Sequence, residues 1–160
     1  MKLNMKRCHV CEREMALCTL KPMEGEVHDV RVQIDGMPVM ECSEGHKRFV
    51  APDFALKLME ALVEDECLVP IDPASQKGVL FKRYCCPGCG KQLEGGASSR
   101  IQATRVLELS GLEAFGVHVE VPKFRCSACG RDYVPPGEVV VDDLMKASAR
   151  AFRAAAVSAT

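Results

Sequence analysis

The chain contains no tryptophan, two tyrosines and six phenylalanines, so aromatic residues make up only 5% of its 160 residues. That is thin material for a large core. No window holds 18 consecutive apolar residues, so no transmembrane helix is expected. The basic residues near Met1 have no apolar stretch behind them, so no secretory signal is expected either. Neither sign of charge dominates: 21 Lys and Arg stand against 22 Asp and Glu, a net of -1. This argues against a nucleic-acid binder driven by overall charge, while leaving room for a local basic patch. Also missing are a phosphate loop, a dinucleotide fingerprint, a nucleophile elbow and a His-Glu-x-x-His motif.

What the chain does have is ten cysteines. Small domains that bury too little apolar surface need staples, and a metal is one such staple. Without export the thiols stay reduced, and paired cysteines then read as metal ligands rather than disulfides. A cytoplasmic location is the matching expectation.

Three Cys-x-x-Cys pairs stand out, Cys8/Cys11, Cys86/Cys89 and Cys126/Cys129, together with a half-site Cys42-Ser-Glu-Gly-His46. The order reads as one unit written twice: a pair, a long stretch, then a second half-site. The segments after Cys42 and Cys126 align. Each has a basic residue at the fifth position (Lys47, Arg131), an aromatic at the seventh (Phe49, Tyr133), then Val and a shared Pro (Pro52, Pro136). Zinc prefers thiolate and imidazole ligands in a tetrahedron, and two such turns complete one shell. Two zinc ions per chain are therefore expected. One falls at Cys8, Cys11, Cys42 and His46, the other at Cys86, Cys89, Cys126 and Cys129. By the alignment Gly45 sits where Cys129 does, and the longer imidazole of His46 makes up the one-residue difference. Cys18, His9 and His28 compete for that fourth position. Cys18, Cys67 and Cys85 otherwise read as small buried hydrophobes. His28 and His118 read as ordinary surface or core residues.

The middle of each unit reads as β. Val30, Val32 and Ile34 alternate with polar residues, and Asp35-Gly36 follows as a type I′ hairpin turn. The return through Met37 to Met40 delivers Cys42, with Pro38 favouring an edge strand. In the second unit, residues 101–109 and the alternating Val117, Val119 and Val121 read as strands, the second delivering Cys126. Asp53 is placed to cap a helix over 54–66, with Phe54, Leu58, Ala61 and Leu62 on its apolar face. Asp142 or Asp143 is placed to cap a second helix reaching about Val157, which lacks a stop signal and is expected to fray.

These readings add up to a small α+β fold: two tandem zinc ribbons, each a short antiparallel sheet closed by a C-terminal helix. The units fall at 1–67 and 80–160, with 68–79 as linker. Residues 1–77 carry 10 basic and 14 acidic side chains, a net of -4, and residues 78–160 carry 11 and 8, a net of +3.

Residues about 7–66, with CHVC, VRVQIDGMPVMEC and the closing helix, resemble the YgiT-type zinc-finger domain, the N-terminal part of the MqsA antitoxin. Gly36-Met37-Pro38 matches that family's hairpin. The resemblance implies structural zinc and a surface for a protein partner. A second ribbon stands where the antitoxin has its helix-turn-helix, so operator binding is not implied.

Closed metal shells and the missing catalytic motifs point to a non-enzymatic protein that binds a macromolecule, protein ahead of nucleic acid. Nucleic-acid binding would use basic clusters at Lys2/Lys6/Arg7, Lys82/Arg83 and Lys123/Arg125/Arg131, with Phe81, Tyr84, Phe124 and Tyr133 stacking on bases if exposed, whereas such aromatics more often pack behind a metal site. A thiol-based redox or metal-responsive switch at Cys86-Pro-Gly-Cys89 is the third reading.

Overall fold

The computed structural model describes residues 7–64, 72–78, 83–93, 99–109 and 111–158. Among these, eleven strands and two helices run in the order β1 (Met15–Thr19), β2 (Met23–Val27), β3 (Val30–Asp35), β4 (Pro38–Cys42), β5 (Lys47–Phe49), α1 (Phe54–Glu64), β6 (Ser75–Lys77), β7 (Arg83–Cys85), β8 (Ser99–Leu107), β9 (Phe115–Arg125), β10 (Asp132–Tyr133), α2 (Gly137–Ala154) and β11 (Val157–Ser158). The architecture is mixed α+β with mainly antiparallel sheets.

The strands of the two halves do not stay apart. β3 from the first half pairs with β9 from the second, from Arg31 opposite Glu120 to Asp35 opposite Gly116. β2 continues that sheet beyond β3, while β8 and β10 flank β9. A second sheet runs β1-β4-β5-β11, and its last strand is the chain's C-terminal piece lying parallel to β5. The arrangement is thus not two ribbons each closed by its own helix. Alternation explains why: Val30, Val32 and Ile34 on β3 and Val117, Val119 and Val121 on β9 are all buried. Two rows of β-branched side chains on one sheet face make a wider apolar surface than either hairpin alone.

Helix α2 covers the β2–β3 side of that surface with Leu144, Ala147 and Ala151. Close approach depends on small residues. A methyl group added to Gly25 on β2 would overlap the Ala147 carbonyl and come within 2.8 Å of Ala151 N. The few aromatics are concentrated where the layers meet. Phe152 of α2 stands edge-on to Phe49 at 4.9 Å, Phe49 lies 6.1 Å from Phe54, and Phe54 lies 6.0 Å from Phe115. Four of the six phenylalanines therefore form one chain linking both halves and both helices.

Several local expectations are corrected. Asp35-Gly36 is not a hairpin turn, because β3 and β4 lie in different sheets; with Gly36 at φ 74° it redirects the chain from one to the other. The two-residue hairpin is instead β2–β3 through His28 (φ 48°) and Asp29 (φ 68°), the left-handed pair that a type I′ turn needs. β4 is an interior strand, and Pro38 is accommodated as its first residue. Helix α2 begins at Gly137, after Pro136, rather than at Asp142, so the run Val139–Val141 is helical despite its β-branching. Asp143 is no cap: it is buried mid-helix with Oδ1 3.1 Å from His28 Nδ1. Nor does the end of α2 fray, because Ala156 turns at φ 56° and β11 pairs with β5. Within residues 72–78 of the expected linker, Ala74 is buried and Ser75–Lys77 pairs with β7. Residues 65–66, at the end of the expected first helix, lie outside the described residues.

Replacing Gly25 with Ala tests the layer contact. Overpacking against helix backbone is expected to cost about 3 kcal/mol, lowering the melting temperature of metal-replete protein by roughly 10 °C. An unchanged melt followed by circular dichroism would contradict this packing.

Candidate metal centres

Four tight turns present the candidate ligands, and three share one construction. In each of these three, the N–H of the first cysteine donates to the carbonyl five residues on: Cys8 to Arg13 (2.8 Å), Cys86 to Lys91 (2.8 Å) and Cys126 to Arg131 (2.9 Å). The residue after the second cysteine donates back to the first cysteine's carbonyl, and it stands at positive φ: Glu12 at 61°, Gly90 at 74° and Gly130 at 69°. Glycine takes this conformation freely, whereas Glu12 meets the Cβ penalty in full. A cross-strand pair closes the base of each turn, Arg7 with Glu14, Cys85 with Gln92 and Arg125 with Asp132.

The turn at Cys42 is one residue shorter. Cys42 N–H donates to the His46 carbonyl (3.1 Å), the left-handed residue is Gly45 (φ 86°), and Glu41 pairs with Lys47. The chain therefore offers its second donor after the left-handed residue rather than before it. The longer imidazole spans the added distance.

These turns bring the expected residues together in two groups of four, Cys8, Cys11, Cys42 and His46, and Cys86, Cys89, Cys126 and Cys129. Within each group all ligand atoms lie within 4.8 Å of one another. In the first, Cys11 Sγ is 3.6 Å from Cys42 Sγ, and His46 Nδ1 is 3.4 Å from Cys42 Sγ and 3.6 Å from Cys8 Sγ. In the second, Cys89 to Cys126 is 3.6 Å and Cys86 to Cys129 is 3.9 Å. A tetrahedral zinc with bonds of about 2.3 Å to sulfur needs sulfur–sulfur edges of roughly 3.8 Å, so each group could hold one such ion. β9 leads into Cys126, β4 carries Cys42, and β7 leads into Cys86.

The competing ligands are elsewhere. Cys18 Sγ donates to Glu41 Oε2 at 3.1 Å, and burial followed by that carboxylate pushes its thiol up to about 11. His9 is exposed in the first turn, and His28 faces Asp143. Cys85 is buried beside Cys86 but outside both groups. Lys2, Lys6, Cys67, Phe81 and Lys82 lie outside the described residues.

One of the four aromatics weighed between base stacking and packing behind a metal site does the latter at the second centre. Tyr133 is buried, with its hydroxyl 3.2 Å from Cys86 Sγ. When the sulfur is a thiolate, the hydroxyl donates to it. This contact holds Cys86 down to about 6 and pushes Tyr133 up to about 12. The signal was present in the sequence: Tyr133 falls seven residues after Cys126, as Phe49 does after Cys42. Only the second turn gains a donor from that position.

The fifth residue of every turn is basic, Arg13, Lys47, Lys91 and Arg131. A zinc ion with four thiolates carries a net charge of -2, and one with three thiolates and a neutral imidazole carries -1. Two cations beside each centre oppose that charge. Arg13 also ties the turns of the first centre together, 3.0 Å from Glu44 and 3.2 Å from Ser43 Oγ. Comparison of the chain with protein-family models, curated proteins and solved structures found no match.

Tyr133→Phe keeps the ring and removes the donor. The second centre is expected to lose about 10- to 100-fold in zinc affinity, read by chelator competition, while the first is unchanged. Equal affinity in both proteins would contradict the role given to the hydroxyl.

Proposed function

We propose that the chain is a non-enzymatic binding protein whose two structural zinc ions hold a rigid surface for a protein partner. The observation that carries this reading is that each centre gathers four side-chain donors, a complete tetrahedral shell. A catalytic zinc keeps one position for water or substrate, and a shell of four protein ligands leaves none. Zinc fits a donor set of three or four thiolates better than the hard cations do. When bound, it supplies cross-linking and no chemistry of its own. The chain's residues do the rest: they fix the turns, offset the charge and join both centres to one core. The order of motifs over residues 7–66, similar to the YgiT-type domain, supports the same reading.

Protein ranks ahead of nucleic acid because the aromatics are engaged. Tyr133 faces Cys86, while Tyr84 and Phe124 pack on each other at 5.5 Å. Lys123 and Arg125 both pair with Asp132. One constellation has the residue types of a hydrolase: Asp35 lies 2.9 Å from His118 Nε2, and Thr104 Oγ1 lies 3.1 Å from Nδ1. It spans β3, β9 and β8 on an exposed sheet face, where the backbone amides of β3 and β9 lie in the sheet plane, paired along their ladders. Among the described residues no oxyanion site is built beside the hydroxyl, and the three residues read as cross-strand ties.

Cross-linking in cells, followed by reconstitution from the purified pair, tests the reading. The expected result is a defined protein partner whose binding survives nuclease and is lost when a chelator strips the metal. Binding abolished by nuclease and weakened steeply by salt would put nucleic acid in its place.

A further inference from the structure

β8 is the longest strand among the described residues to end a sheet, nine residues paired along one side only, with β9. Its sequence, SRIQATRVL, contains no Pro, Gly, Lys or acidic residue; its two charges are Arg100, tied to Glu26, Asp29 and Glu120 of the same chain, and Arg105 on the half-buried side. Alternate residues are exposed along its whole length, and Val106 is 74% exposed. The opposite edge of the same sheet is protected. β2 carries Glu24, Gly25 and Glu26, lies under α2, and its Glu26 carbonyl accepts a hydrogen bond from Arg150 at 2.8 Å. β1 also ends a sheet but is only five residues long.

We propose that β8 pairs antiparallel with β8 of a second copy of this chain, making one continuous sheet across a two-fold axis at Thr104. The inference stands apart from the partner reading above, since the occupant is the chain itself. Its basis is self-complementarity. A two-fold axis perpendicular to the sheet pairs residues whose numbers sum to an even total, because partners must share a face. With the axis at Thr104, Ile101 meets Leu107 of the second copy, so apolar side chains meet on the core-facing side. Gln102 meets Val106, Ala103 meets Arg105, and Thr104 meets itself. At each end Arg100, which pairs with Glu26, Asp29 and Glu120 of its own chain, stands opposite Glu108 of the second copy, so no like charges meet there. Axes at Arg100 or Arg105 would set arginine on arginine. The outer side of β8, which pairs with no other described strand, supplies the hydrogen bonds, as in strand addition generally. One strand pair buries little area, so the dimer is weak and concentration-dependent.

Sedimentation equilibrium of the metal-replete full chain, from low to high micromolar, is expected to show reversible dimerisation to twice the 17.5 kDa chain mass. Two variants test the register. Q102K/V106K sets Lys against Lys across the axis and is expected to weaken the dimer at least about tenfold. Q102K/V106E sets Lys against Glu and is expected to restore it. Both substituted positions are exposed, and the Gln102→Lys side chain keeps Glu120 as a neighbour, since Gln102 already donates there at 3.0 Å. Hydrogen exchange of the unmodified protein gives a readout independent of the variants: β8 amides are expected to gain protection with concentration while β1 amides do not. A monomer throughout, a dimer indifferent to Q102K/V106K, or Q102K/V106E as monomeric as Q102K/V106K would overturn the proposal.

Discussion

The ladder between β3 and β9 is the interaction on which the rest of the molecule depends. It joins β3, which hands the chain on to β4 and Cys42 in the neighbouring sheet, with β9, which ends one residue before Cys126, so the two candidate metal centres are tied through one core. The same ladder aligns two rows of valine and isoleucine into one apolar face, and α2 finds enough surface there to pack. Neither half owns this face. Phe54 from the first half and Phe115 from the second meet within the same buried cluster. A chain without tryptophan reaches a core of useful width by pooling its two halves.

Metal closure and core burial answer different needs. The core orders the middle of the chain, but the four turns stand outside its main cluster and bury little beyond their own cysteines. The first centre packs with Met15, Met40 and Val50, the second with Ala74, Leu93, Tyr133, Tyr84 and Phe124. Such satellites gain little from apolar burial, whereas a structural zinc is worth on the order of 10 kcal/mol, comparable to a whole domain's stability margin. The turns are built around the candidate ligands: amides fixed by hydrogen bonds, a left-handed residue to close the loop, and a cation five residues after each first cysteine.

How much was legible in the sequence follows from range. The metal half-sites are local patterns, and all eight candidate ligands were found together in their expected fours. The one-residue deficit at Cys42 was legible for the same reason. Strand alternation placed β3 and β9 to within a few residues. What sequence order could not carry was pairing between distant strands. Asp35-Gly36 looked like a hairpin turn because its chemistry suits one, yet β3 found a longer apolar partner in β9 than in β4. The start of α2 was hidden because Val139 to Val141 favour strands locally, and burial of the helix face overrode that preference. Tyr133 was legible only as one of four aromatics that either stack on bases if exposed or pack behind a metal site. Its burial against Cys86 is a tertiary fact.

The central claim is that two closed centres, each completed by four side chains, hold the turns of this fold. Native mass spectrometry of untagged protein, purified without added metal or chelator, tests it most directly. The account predicts two zinc ions per chain, retained together in the folded charge states. A folded chain carrying no metal, with its cysteine pairs oxidised, would contradict it.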